Sequence, residues 1–83
     1  MKTNGHRPIW AITTDISRDW KRPYFGAVPY IQAMAYLGSI EDSVGYDDAR
    51  SIIRYFLVNA STWRGAKARE IKAELKDMLK CTK

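Results

Sequence analysis

Two side chains of this sequence could act as a nucleophile and its base, and they stand near opposite ends of the chain. His6 is the only histidine and Cys81 is the only cysteine. A Cys–His pair needs a third group that orients the imidazole, and neither residue has such a partner nearby in the sequence. A single cysteine also provides no disulfide framework and no thiolate zinc site. The sequence therefore predicts a protein that is not an enzyme, with no catalytic residue, no metal site and no cofactor.

A cluster of carboxylates is the next group that could bind a cation. It comprises Glu41, Asp42, Asp47 and Asp48, with no basic residue between them. A calcium loop requires oxygen ligands at alternate positions and a central glycine, and this cluster lacks that arrangement. We therefore interpret residues 39–48 as a polar connector in which Asp47 caps the helix that follows.

Positive charge is concentrated towards the two ends of the chain. The formal net charge is +5, and residues 25–61 carry only two basic side chains against four acidic ones, whereas residues 62–83 carry seven against three. A helix rotates about 100° per residue, so the C-terminal segment places five basic residues in one stripe: Arg69, Lys72, Lys76, Lys80 and Lys83. Like charges at i,i+4 destabilise a helix, and local stability does not explain this stripe. A phosphate backbone or an acidic protein surface would explain it, and a solvated face that serves solubility is the alternative.

Further candidate binding residues precede this basic stripe. Arg50 and Arg54 repeat the i,i+4 spacing and would extend the basic surface if the third and fourth helices pack antiparallel. Trp63 beside Arg64 could stack on a base or anchor a protein interface, and the alternative for Trp63 is a core position or a hydrophobic staple. The candidate binding set is Arg50, Arg54, Arg64, Arg69, Lys72, Lys76 and Lys80, with Trp63 as the candidate aromatic anchor.

Four segments with apolar residues at helical spacing provide the elements that must position these side chains. The first helix is predicted over 8–20 with Pro8 in its first turn, and the second over 26–37 with Gly38 as its stop. The third follows Asp47 and the fourth spans 62–79. Most of the aromatic residues are expected in the core, among them Trp20, Phe25 and Phe56. The predicted apolar faces are Ile9, Ile12, Ile16 and Trp20; Tyr30, Met34 and Leu37; Ala49, Ile52, Ile53, Phe56, Leu57 and Ala60; and Ala68, Ile71, Leu75, Met78 and Leu79.

Strand signals are missing throughout, so the expected fold is all-α. It is a single small domain over residues 1–83, made of about four short helices in a bundle-like arrangement, with mobile tails at 1–7 and 80–83. A chain of 83 residues with 46% hydrophobic residues has one core and no room for a deep cleft, which excludes most classes of enzyme. No apolar run approaches the about 20 residues of a membrane-spanning helix, and the expected location is the cytoplasm.

One pattern of residues is distinctive as a string. It reads FGAxPYxxAM over residues 25–34, followed by YFLxNAxTWRG over residues 55–65. On these motifs the chain resembles, over residues 7 to 79, a group of small uncharacterised proteins encoded by bacteriophages, prophages and plasmids. The resemblance implies a mobile-element origin and a bacterial cytoplasmic setting. It carries no catalytic or binding residue to this chain, because no activity is established for the group.

The leading functional hypothesis is a non-enzymatic phage or mobile-element protein that binds a host protein or nucleoprotein complex. An anti-defence inhibitor of the anti-CRISPR type is one form of this hypothesis. The alternative is a small basic protein that binds DNA or RNA during phage replication or transcription. A homodimer that uses its aromatic residues as a self-interface is a third possibility, and no membrane partner is expected.

Overall fold

The computed structural model describes residues 7–81. Within this range four α-helices surround one core: α1 (Ile9–Asp19), α2 (Val28–Met34), α3 (Ala49–Val58) and α4 (Ala66–Cys81). A 3₁₀ turn (Phe25–Ala27) leads into α2, and a minimal antiparallel pair, β1 (Ser43–Val44) and β2 (Asp47–Asp48), precedes α3. The prediction of a small, mostly helical, bundle-like domain is confirmed.

The predicted apolar faces of the four helices form the core. Its largest fully buried side chains are Ile9, Ile12 and Ile16 on α1, Met34 and Leu37 on and after α2, Ile53 and Phe56 on α3, and Ile71 and Leu75 on α4. Full burial of a side chain of this size contributes about 1.5–3 kcal/mol relative to exposure. The partly buried Trp20, Tyr30, Leu57 and Leu79 pack against this cluster. α2 packs chiefly on α3, and α4 packs more extensively on α1 than on α3.

The ends of α1 and α2 differ from the prediction, and the segment after α2 bonds to the start of α1. Pro8 is the N-cap of α1 and not part of its first turn. The α-helical part of α2 ends at Met34, three residues before the predicted end at Leu37. The N–H groups of Ile9 and Trp10 donate to the carbonyls of Gly38 and Leu37 at 3.0 and 2.9 Å. Residues 37 and 38 therefore satisfy the first donors of α1, which have no partner inside their own helix.

The prediction that strands are absent is wrong at residues 43–48. Ser43 pairs with Asp48 and Val44 with Asp47, and the two strands are joined by a turn in which Gly45 has φ +62°. The left-handed backbone at Gly45 allows this two-residue connection. Because Asp47 is used in the ladder, Asp48 caps α3 in its place and accepts from the Ser51 N–H at 2.9 Å.

The boundaries predicted for α4 and for the two tails also change. α4 begins at Ala66, four residues after the predicted start, because Trp63 still belongs to a turn in which its N–H donates to the Ala60 carbonyl at 3.0 Å. Gly65 follows with φ +115°, a conformation outside the helix. At its other end α4 continues through Lys80 to Cys81, and Arg7 contacts other elements. Of the tails predicted at 1–7 and 80–83, the structure places Arg7 in ion pairs and Lys80 and Cys81 in α4, and the remaining residues lie outside the described range.

Candidate interaction surfaces

The acidic cluster is a structural connector, as interpreted. Asp42 accepts from the N–H groups of Gly38 and Ser39 at 2.7 and 3.1 Å, and these bonds hold the pKa of Asp42 below its ordinary value. The N–H of Ser51 lowers the pKa of Asp48 in the same way. Within residues 7–81, no group of three or more His, Cys, Asp or Glu side chains could hold a metal ion. His6, which was considered and rejected as a partner for Cys81, lies outside this range.

Arg7 joins the start of the described chain to α1 and α4. Its guanidinium lies 2.6 Å from a carboxylate oxygen of Asp15 and 3.0 Å from one of Glu74, and its Nε donates to the second oxygen of Glu74 at 3.3 Å. This fork-like geometry lowers the pKa of Asp15 and raises that of Arg7. Arg7 therefore links Glu74 on α4 to Asp15 on α1.

Trp63 is a core residue and not an exposed anchor. It is only 3% exposed, and its ring stacks on Trp20 with centroids 5.5 Å apart and planes 9° from parallel. Phe56 meets it edge-on at 6.3 Å, and the indole N–H donates to Asp19 at 2.8 Å. A base cannot stack on a ring enclosed in this way, so Trp63 is removed from the set of exposed binding candidates.

Lys72 is held in place beside this tryptophan. Its ammonium donates to the Trp63 carbonyl at 2.7 Å and lies 5.9 Å from the centroid of the Trp63 ring. Burial lowers the pKa of Lys72, and the charges of Lys76 and Arg64 lower it further. The ammonium is therefore held in one position and is repelled by the positive charges of Lys76 and Arg64.

The basic residues separate into two groups. Arg64, Arg69 and Lys72 line one open cleft of about 360 Å³ at the start of α4, and Lys76 and Lys80 are exposed farther along the stripe. On α3, Arg50 lies 3.5 Å from Glu41, and Arg54 is exposed near Asp48. Since α4 packs mainly on α1, the helix pairing required for one merged patch is not the principal one. Lys83 lies outside the described residues.

Several aromatic side chains are exposed, although most of the aromatic residues were expected in the core. Phe25 was predicted in the core and is 80% exposed, and its ring contacts that of Tyr24 at a centroid distance of 4.8 Å. On α3, Tyr55 and Val58 are 54% and 73% exposed and lie three residues apart on one helical face. Tyr30 stacks on Tyr55 at 5.6 Å.

Gly26 and Asn59 join the two halves of this surface. A Cβ at Gly26 would lie 2.6 Å from the ring of Tyr24 and 2.8 Å from the amide oxygen of Asn59, so both side chains flank this glycine. The Asn59 amide in turn donates to the Tyr55 carbonyl at 2.8 Å. We group the side chains of these two segments as the aromatic surface and define it as Tyr24, Phe25, Tyr30, Tyr55 and Val58.

The sequence contained a partial signal for the aromatic surface. The dipeptide Tyr24-Phe25 follows Pro23 and precedes the helical pattern, where no periodicity requires burial. Val58 falls outside the apolar face of α3, which runs through Ile52, Ile53 and Phe56. Proximity of the two segments depends on the packing of α2 on α3, which no local pattern predicts.

Comparison with known proteins adds no family and no related fold. A scan against protein-family models gave no match, and searches of curated proteins and of solved structures found no similar chain. No helix among the described residues is both long and apolar enough to cross a bilayer. The functional conclusion therefore depends on the two surfaces, the aromatic surface and the basic stripe with its cleft.

Proposed function

We propose that this protein is a non-enzymatic accessory protein of a phage or other mobile element, and that it acts by binding a host protein through the aromatic surface. The observation that carries the proposal is the exposure of Phe25, Tyr55 and Val58, which lie on two segments that Gly26 and Asn59 bring together. A contiguous apolar patch on a small domain is typical of a protein interface, and tyrosine is enriched among the residues that dominate binding energy. An anti-defence inhibitor of the anti-CRISPR type, acting in the bacterial cytoplasm, is the specific form that we propose.

The state of the carboxylates supports binding in preference to catalysis. Asp15, Asp42 and Asp48 each accept hydrogen bonds that lower their pKa, which stabilises the ionised form. A general acid at neutral pH needs the opposite shift. These three carboxylates serve the fold.

The aromatic surface also explains why the interface is assigned to a protein partner. Its members are large apolar side chains, and the basic stripe lies on α4, which contributes none of them. Apolar contact is not weakened by salt, whereas contact with a polyanion is. We therefore expect a partner that stays bound at physiological and higher salt.

The test is recovery of a partner by the immobilised protein from a bacterial lysate, with single substitutions on and off the aromatic surface. Phe25→Ser and Val58→Ser should each weaken binding at least about tenfold, a loss of about 1.4 kcal/mol. Tyr46→Ser is the matched control, because Tyr46 is fully exposed at the turn between β1 and β2 and lies outside the surface. It should change the affinity less than about twofold, by the usual small effect of an exposed position.

Three results would contradict the proposal. The first is that the wild type retains no protein in stoichiometric amount. The second is that Phe25→Ser retains as much partner as the wild type. The third is a dimeric mass in size-exclusion chromatography that becomes monomeric in Phe25→Ser, because the surface would then be covered by a second copy of the chain.

A further inference from the structure

The cleft at the start of α4 gathers positive charge from two elements. Arg64 lies in the turn before the helix, and Arg69 and Lys72 project from its first two turns. The rest of the lining comes from Ser61, Trp63, Gly65 and Ala68. Arg64 and Arg69 are exposed, and Lys72 is half-buried. A guanidinium binds phosphate with two parallel hydrogen bonds, and an ammonium adds a point charge.

The carboxylates of α4 do not neutralise this cleft. Glu74 is bound by Arg7, and Glu70 lies 3.5 Å from Lys67 on the exposed side of the helix. Among residues 7–81, neither Arg64 nor Arg69 nor Lys72 forms an ion pair with a carboxylate. The first turn of α4 contains no acidic residue. Within the described part of the chain, the three basic side chains of the cleft are therefore not paired with a carboxylate.

Lys72 is the fixed member of the group. Its bond to the Trp63 carbonyl uses one of its three N–H donors, so two remain for a ligand. Because Trp63 is buried between Trp20 and Phe56, the carbonyl that holds the ammonium belongs to a rigid part of the core. A phosphate in the cleft would also offset the repulsion that Lys72 experiences from Arg64 and Lys76.

We infer that this cleft holds a phosphate group of a nucleic-acid strand, with Lys76 and Lys80 contacting the phosphates that follow. The stripe from Arg69 to Lys80 extends about 16 Å along the helix at 1.5 Å per residue. That length exceeds one phosphate group and suits an extended polyanion. The site lies apart from the aromatic surface, so this inference goes beyond the proposed function and can fail independently of it.

The test is fluorescence anisotropy of labelled single-stranded and duplex oligonucleotides at several salt concentrations. One phosphate in the cleft and one each at Lys76 and Lys80 make about three phosphate contacts, which predict a slope of log affinity against log salt of about −2 to −3. Arg69→Glu and Arg64→Glu should each weaken binding at least about tenfold and reduce the slope by about one or more. Arg69→Gln, which removes the charge without reversing it, should have a smaller effect in the same direction.

Arg22→Glu is the matched control, because it makes the same change in net charge at an exposed position outside the candidate binding set. It should weaken binding less than about threefold. The inference would be overturned by no binding at low salt, by equal loss in Arg22→Glu and Arg69→Glu, or by a polyglutamate peptide that binds as tightly as the oligonucleotides. Phe25→Ser should bind oligonucleotides as the wild type does, so failure of one proposal leaves the other standing.

Discussion

At the scale of single residues, Trp63 packs in the core through its side chain and holds a surface lysine through its backbone carbonyl. Its indole is enclosed by Trp20 and Phe56, and its N–H donates to Asp19. Its carbonyl accepts from Lys72 on α4. The sequence indicated that Trp63 was either a core residue or an anchor, and only the packing of the end of α1 beside α3 decides between them.

Replacement of Trp63 by alanine should therefore affect stability before it affects binding. We expect the free energy of unfolding to fall by about 3–5 kcal/mol, because a large buried ring is lost and a cavity remains. Trp10→Ala is the control, since Trp10 is half-exposed and its removal should cost about 1 kcal/mol or less. Urea denaturation followed by circular dichroism measures both values. Equal decreases in the free energy of unfolding for Trp63→Ala and Trp10→Ala would contradict the core role of the Trp63 ring.

At the scale of elements, apolar periodicity predicted the helices well and their ends poorly. All of the apolar face predicted for α3 is buried except Leu57, which packs against the core. The ends depended on tertiary hydrogen bonds, such as those from Ile9 and Trp10 to residues beyond α2. The small hairpin was missed because two-residue strands have no alternating pattern, although Gly45 marked its turn.

The cap of α3 gives a test at this scale. Asp48→Ala should lower the melting temperature by a few degrees, because the Ser51 N–H loses its acceptor, whereas Asp47→Ala should leave it nearly unchanged. The folded-state pKa of Asp48 is below its ordinary 3.8, so the stabilisation is present above that pH and is lost as the pH falls through the folded-state value. The difference between wild type and Asp48→Ala should therefore shrink on acidification below about pH 4. A difference that grows in acid would contradict the capping role.

At the scale of the whole molecule, the chain has one core and two surfaces of different chemistry. Its radius of gyration of 11.8 Å is that of a compact domain of this length. The basic residues of α4 were found from the sequence because they repeat within one helix. The aromatic surface was not predicted, because Phe25 and Val58 come from separate segments, and Gly26 and Asn59 bring these segments together only in the folded chain.

The most direct test of the central claim is site-specific photo-cross-linking in bacterial cells that express the protein. A benzoyl-phenylalanine at position 25 would report a partner on the aromatic surface, and the same group at position 46 would report random encounters at an equally accessible site. We predict a discrete cross-linked host protein at position 25 that is absent at position 46 and disappears with Val58→Ser. Equal cross-linking at both positions, or none at position 25, would contradict the account.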